Sequence, residues 1–390
     1  MRSLPRVLCS CLLLLAATAA AAPSLVPAAP ELAASAWILV DARSGAVLAE
    51  HDADERLPPA SLTKMMTDYL LAAEVDAGRL SLDDRAVISE KAWRMGGSKM
   101  FVRVGEEVRI EDLLRGIVIQ SGNDASVAVA EHVAGSEAAF AEMMNQQAQL
   151  LGMENSHFVN ATGMPHPEHY SSARDLSILG RRLVRDFPDH YAYYAEKEFT
   201  YGTDFQTGEP ISQRNRNDLL WLDQTVDGIK TGHTEEAGYC LVASAVRDGM
   251  RLISVVMGTG SESARAQESQ TLLRWGFRFH ETQQLYAGGE ELERQTVWQG
   301  AADEVALGLE QDLVLTIPRG RYDELEARVE LEPWPKAPIA AGAALGRLTV
   351  SLDGEVLEEA PLVALQAVEP AGLLGRLWDA IRLFFVRLLA

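Results

Sequence analysis

Two of the six lysines, in a chain that otherwise carries 29 arginines, stand in short patterns able to do chemistry. Ser61-Leu62-Thr63-Lys64 sets a hydroxyl and an amine three residues apart, which on the first turn of a helix puts both on one face. A serine hydroxyl needs a base before it acts as a nucleophile. A lysine held near another positive charge can lose its proton and serve as that base, whereas arginine keeps its own. Ser121-Gly122-Asn123 supplies a second hydroxyl and an amide that donates and accepts, next to a glycine that lets the backbone turn tightly. Lys230-Thr231-Gly232 offers a cation and a hydroxyl for an anionic group, with a glycine that admits a neighbouring backbone. Each pattern alone has a plainer reading: Ser61 as an N-cap, the second as a turn between helices, the third as a strand end. Together they set a serine beside a candidate base, then a second hydroxyl, then a lysine for an anionic group, in that order along the chain.

Those parts need elements to hold them. Residues 36–50 alternate apolar stretches with the turn Asp41 to Gly45, which predicts two short strands. Pro58-Pro59-Ala60 then stops the chain, and Leu62, Met65, Met66, Tyr69, Leu70 and Ala73 recur at helical spacing, so Ser61 sits at a helix N-terminus. Residues 111–151 predict a pair of helices with breaks near Ser121 to Asn123 and at Gly135, and Ser171 to Arg185 a further helix. A strand over residues 226–234 carries Lys230. Tyr239 to Val246 and Met250 to Met257, joined by Arg247-Asp248-Gly249, read as a hairpin. Helices enclosed between early and late strands predict an α+β domain with a largely antiparallel sheet, residues 30–281. Residues 282–368 then read as a small, mainly β domain, with strands at 312–317, 327–331, 346–352 and 355–365 and a turn at Asp353-Gly354.

Composition narrows the function. Asp+Glu 56 against Lys+Arg 35 gives a net charge of -21, which excludes affinity built on neutralising phosphates, so no nucleic-acid partner is expected. Arg2 and Arg6, an apolar run from Val7 to Ala17 and small residues to Ala22 form the layout of a secretory signal peptide over residues 1–22. That run is shorter than the ~18 residues a membrane span needs. Cys9 and Cys11 fall inside this segment and leave Cys240 without a partner, so neither a disulfide nor a cysteine metal site is expected. At the other end, Leu373, Leu374, Leu377, Trp378, Ile381, Phe384, Phe385, Leu388 and Leu389 share one helical face, with Arg376, Asp379, Arg382 and Arg387 opposite. Residues 369–390 therefore predict an amphipathic helix lying on a membrane surface.

Ser-x-x-Lys, then Ser-x-Asn, then Lys-Thr-Gly is the order found in penicillin-binding proteins and class A β-lactamases. The chain strongly resembles a low-molecular-mass penicillin-binding protein of the D-alanyl-D-alanine carboxypeptidase family. The likeness runs through Pro59 to Lys64, Gln120 to Asp124, Tyr170 to Asp175, Asn215-Arg216-Asn217 and Val226 to Thr234. It departs from the β-lactamases, which have Asp where this chain has Gly122, and no Glu-x-x-Leu-Asn lies between Asn123 and Lys230.

The resemblance implies a serine β-lactamase/penicillin-binding-protein-like fold and removal of the terminal D-Ala from peptidoglycan stem pentapeptides through a Ser61 acyl-enzyme. It implies Lys64 as general base, kept neutral by the hydrogen bonds of Lys230 and Asn123, and Ser121 as proton carrier to the leaving amine. Thr231, Lys230 and Arg216 would meet the substrate carboxylate and the backbone N–H groups of Ser61 and His233 the oxyanion, with Thr231, Gly232, His233 and Arg216 as the substrate-binding residues. β-Lactams would acylate Ser61, and no metal or organic cofactor is implied. The location implied is the periplasmic face of the bacterial inner membrane. A D,D-endopeptidase acting on cross-links, or an idle envelope binding protein, are the alternative readings.

Overall fold

The structure, a computed structural model, describes residues 26–203 and 207–389. The signal peptide read over residues 1–22 lies outside the described residues.

The central sheet begins with β1 (Ala36–Asp41), buried along its whole length, and β2 (Val47–His51). It is completed by β3 (Val226–Thr234), β4 (Gly238–Arg247) and β5 (Met250–Thr259). The order is β2-β1-β5-β4-β3, antiparallel throughout, so the first strands pair with the last across most of the domain. Asp248 and Gly249, at φ 50° and 80°, turn β4 into β5 as a left-handed two-residue loop requires.

Both sheet faces are covered, which explains why the central strands are continuously apolar. Ile38 and Val40 point to one core, with Met65 and Met66 of α1 (Lys64–Asp76). Trp37 and Leu39 point to the other, with Leu272, Leu273 and Phe277 of the last helix of the domain, Glu262–Phe279. α1 is buried from Lys64 through Ala72 and forms the centre of a helical cluster. Residues 110–151 form three helices where a pair was expected. These are Ile110–Val118, then α2 (Asn123–Ala134), then α3 (Glu137–Leu151). The two breaks lie where the sequence put them, and two breaks make three helices. Ala173–Asp186 is the further helix expected near 171–185.

Residues 280–370 are β-rich. His280–Tyr286 pairs with Leu313–Pro318, and five more strands form an antiparallel sheet around a core that includes Leu307, Leu315, Leu348 and Leu362. The strands at 326–331, 344–352 and 355–364 match expectation, with Asp353 and Gly354 at φ 54° and 81° in the turn. The two parts meet through hydroxyls: Thr282 Oγ1 donates to Asp41 Oδ2 at 2.7 Å, and Ser44 Oγ lies 2.7 Å from Thr316 Oγ1.

The chain ends in α4 (Leu373–Leu389). Its polar side faces the β-rich part: Gln299 N donates to Asp379 Oδ2 at 2.9 Å, Arg382 lies over the Trp298 ring, and Leu383 is buried. Leu373, Leu374, Leu377, Trp378, Ile381, Phe384, Phe385 and Leu388 are exposed. Among the described residues no helix is long and apolar enough to cross a membrane.

Candidate active site

Ser61 and Lys64 flank the first turn after Pro59. That turn, Ala60–Thr63, is a 3-10 helix, in which positions three apart eclipse one another more closely than on an α-helix. Lys64 is fully buried, and its Nζ has three partners: Ser61 Oγ at 2.9 Å, Asn123 Oδ1 at 2.7 Å and the Thr162 carbonyl at 2.7 Å. An amide oxygen and a carbonyl oxygen can only accept. A neutral amine therefore directs its two hydrogens to them, and its lone pair faces the hydroxyl of Ser61. This geometry lets Lys64 take the Ser61 proton.

The electrostatics favour that state. Burial pushes Lys64 down to about 7, the Arg216 guanidinium pushes the same way, and Asp124 opposes them. Lys230 is also buried and held well below the usual lysine range, by desolvation first and then by Lys64, Arg216 and Arg265. Desolvation and Arg216 thus both favour the neutral amine, and Lys64 and Lys230 lie close enough for the charge of one to depress the other. The Lys230 Nζ itself donates to the Thr231 carbonyl at 3.1 Å.

The second motif fills the bend between helices. Ser121 has φ 64°, a left-handed conformation that costs a non-glycine residue energy and persists only where its surroundings enforce it. Its Oγ is buried without a hydrogen-bond partner among the described residues. Asn123 is fixed from three sides: its backbone N–H donates to the Ser98 carbonyl at 2.7 Å, Nδ2 donates to the Gly96 carbonyl at 2.7 Å, and Met164 Sδ lies 3.7 Å from Nδ2. Asp124 accepts from the backbone of Met100 and Phe101 and holds the loop that carries Ser98.

The third motif lies on β3, at the edge of the sheet and against the turn that carries Ser61. A Cβ on Gly232 would sit 2.9 Å from the Pro59 carbonyl, so glycine is what allows this approach. His233 stacks on Tyr239 with ring centroids 3.9 Å apart, and Arg216 Nε donates to the Gln120 carbonyl at 3.1 Å. Ser61, Ser121, Arg216, Thr231, Gly232 and His233 line one cavity of about 270 Å³. Lys64, Asn123 and Lys230 are buried behind it, Lys64 Nζ 2.9 Å from Ser61 Oγ, Asn123 Oδ1 2.7 Å from Lys64 Nζ, and Lys230 next to Thr231 on β3. All nine residues singled out in the sequence thus converge. A roomier groove, about 520 Å³, is lined by Arg56, Tyr170 and Glu236 among others and holds none of the three motifs.

The cavity also contains residues the sequence did not reveal. Arg265 is buried and donates from Nη2 to the Arg216 carbonyl at 3.3 Å and to Glu262 Oε1 at 2.6 Å, while Nη1 reaches the Gly232 carbonyl at 3.5 Å. It ties two walls together. The Thr162 carbonyl was equally invisible. Asn160 Oδ1 accepts from the backbone N–H groups of Thr162, Gly163 and Met164, a turn that Asn-Ala-Thr-Gly hints at without showing what it presents.

A family model described as D-alanyl-D-alanine carboxypeptidase matches residues 23–261, more than half of the chain. The chain belongs to the D-alanyl-D-alanine carboxypeptidase family. A second model, penicillin-binding protein 5, C-terminal domain, matches residues 280–370. The chain is 44% identical over 370 residues to D-alanyl-D-alanine carboxypeptidase DacA of Escherichia coli (strain K12), covering 93% of this chain and 90% of that protein. The crystal structure of penicillin-binding protein 5 from Haemophilus influenzae superposes with a TM-score of 0.83 at 42% identity, covering 88% of this chain and 99% of that one. Penicillin-binding protein D2 from Listeria monocytogenes, solved in an ampicillin-bound form, covers 64% of this chain and 100% of its own at 32% identity and a TM-score of 0.57. As a member of this carboxypeptidase family the protein is a hydrolase with D-alanyl-D-alanine carboxypeptidase activity, and its fold is that of the penicillin-binding proteins.

Proposed function

We propose that Ser61 is the nucleophile of this carboxypeptidase and Lys64 its base. Ser61 Oγ attacks the carbonyl carbon of the penultimate D-Ala of a stem pentapeptide, Lys64 takes its proton, and the C–N bond to the terminal D-Ala breaks. Water then releases the acyl group. The observation that carries this reading is the 2.9 Å approach of Lys64 Nζ to Ser61 Oγ, with two further partners that can only accept, so that a neutral amine is left with its lone pair for Ser61.

The remaining roles follow from position. Ser121, whose buried Oγ has no partner among the described residues, carries a proton to the leaving amine. Asn123 orients Lys64. Thr231, Lys230 and Arg216 receive the terminal carboxylate, Gly232 keeps β3 against the Pro59 carbonyl, and the backbone N–H groups of Ser61 and His233 face the oxyanion. β-Lactams acylate the same serine, a reading supported by the ampicillin-bound form of the Listeria protein.

The same proposal extends to organisation. Residues 1–22 export the chain, 30–281 are the catalytic domain, 282–368 the β domain, and 369–390 hold the enzyme on the periplasmic face of the inner membrane. The exposed apolar side of α4 supports the last point. The test is release of free D-alanine from a peptide ending in D-Ala-D-Ala by the full chain and by Ser61→Ala. Release by the unmutated protein alone supports the assignment; equal release by both refutes it. A protein that takes up penicillin at Ser61 but acts only on cross-linked peptides is the endopeptidase instead.

A further inference from the structure

We propose that Met164 is an oxidation site through which oxidants lower the activity of this enzyme. Ten methionines fall among the described residues, and Met164 is the exposed one, at 42%. The others are buried or partly buried. An accessible thioether reacts with peroxide or hypochlorite: the sulfur gives an electron pair to the oxidant's oxygen, an S–O bond forms, the O–O or O–Cl bond breaks, and water or chloride leaves.

Position makes this modification matter. Met164 Sδ lies 3.7 Å from Asn123 Nδ2, and the Oδ1 of that amide accepts from Lys64 Nζ at 2.7 Å. The sulfur cannot easily turn away from the site as a unit with its loop, because the Met164 backbone is tied at both ends to Asn160: its N–H donates to Oδ1 at 3.2 Å and its carbonyl accepts from Nδ2 at 3.0 Å. Two residues earlier the same loop presents the Thr162 carbonyl to Lys64. A thioether is a weak acceptor, whereas a sulfoxide oxygen is a strong one. Bonded at Nδ2, it polarises the Asn123 amide and strengthens Oδ1 as acceptor, which favours the ammonium form of Lys64. Lys230, Arg216, Asp124 and His169 are the other charged or titratable groups acting with Lys64, and Met164 oxidation alters none of their charges. Met164 is thus a positioning residue, acting through Asn123.

This inference rests on Lys64 as the base. The full chain is treated with hydrogen peroxide, Met164 oxidation is followed by peptide mass spectrometry, and D-alanine release is measured against pH before treatment, after it, and after methionine sulfoxide reductase. The expected result is a fall of roughly threefold to tenfold in kcat/KM at neutral pH, with the acid limb displaced to higher pH and both effects reversed by the reductase. Met164→Leu, compared with its own untreated rate, keeps its activity and its limb through the same treatment. Oxidation of Met164 without a change in profile, equal sensitivity of Met164→Leu, or a Met164 that stays reduced would each overturn the inference. Failure of the untreated protein to release D-alanine in a Ser61-dependent way is a separate result and sinks the assignment of the site instead.

Discussion

Gly163 packs so tightly under Ala60 that a Cβ on it would lie 1.8 Å from the Ala60 carbonyl oxygen and 2.9 Å from Thr63 Oγ1. Gly163 has φ 83° and Ala60 φ 47°, so both backbones are in the left-handed region where they touch. The loop that presents the Thr162 carbonyl to Lys64 is therefore seated on the residue preceding Ser61. Gly163→Ala forces one of the two backbones to move. Acylation by a fluorescent penicillin should slow by about a hundredfold or more, since misplacement by an ångström costs that much in a preorganised site. An acylation rate within a factor of a few of the unmutated protein would show that the contact is not needed.

If Lys64 is the base, activity should rise with pH through about 7, because an amine acts as a base only when neutral and burial with Arg216 brings Lys64 to that value. Arg216→Gln removes a cation that disfavours the ammonium form. The acid limb of kcat/KM should then move to higher pH, and, if Arg216 receives the substrate carboxylate as proposed, KM should rise. A pH series of initial rates on both proteins reads the two effects separately, and an unmoved limb would contradict the electrostatic role.

His169 links the turn that carries Ser61 to acid stability. Its Nδ1 accepts from Val159 N at 3.0 Å, so Nε2 carries the proton and donates to Thr63 Oγ1 at 2.7 Å. A second proton on Nδ1 would face a donor. Burial, and after it His157, His166 and Lys64, hold His169 at about 4 against the usual 6.5. The unfolded chain binds that proton first, so the contribution is fully present above pH 6.5 and is lost as pH falls toward 4, by up to roughly 3 kcal/mol. Urea midpoints measured over this window should fall less steeply for His169→Gln than for the unmutated protein.

Membrane retention should depend on the apolar side of α4. Replacing Trp378, Phe384 and Phe385 together by serine leaves the Asp379, Arg382 and Leu383 contacts to the β-rich part in place. The triple variant should fail to float with vesicles containing anionic lipid while D-alanine release by the soluble protein continues. Flotation equal to that of the unmutated chain would refute the anchor.

The motifs were legible because their residue types and spacing survive without coordinates: Ser61 and Lys64 need only a helical turn to meet. The hairpins at Asp248-Gly249 and Asp353-Gly354 were legible because left-handed turns demand such residues. The strands His280–Tyr286 and Glu293–Thr296 were not, since their polar runs lack the alternation that marks a strand. Nor was Arg265 legible, an arginine opening a polar helix that tertiary packing turns inward. The Thr162 carbonyl is the clearest case, because a backbone oxygen has no letter in a sequence.

The docking of α4 would set how far a membrane-held enzyme can reach. A protein tied to a surface by a loose peptide sweeps a hemisphere and meets substrate at any height within it. Here Asp379 on Gln299, Arg382 on Trp298 and the buried Leu383 fasten the helix to the β-rich part along its polar side. The apolar stripe therefore faces outward at a fixed angle to the body. If that stripe rests on a membrane, as proposed, the molecule would stand as a post and not a leash, and it would crop the strands that pass at a single elevation.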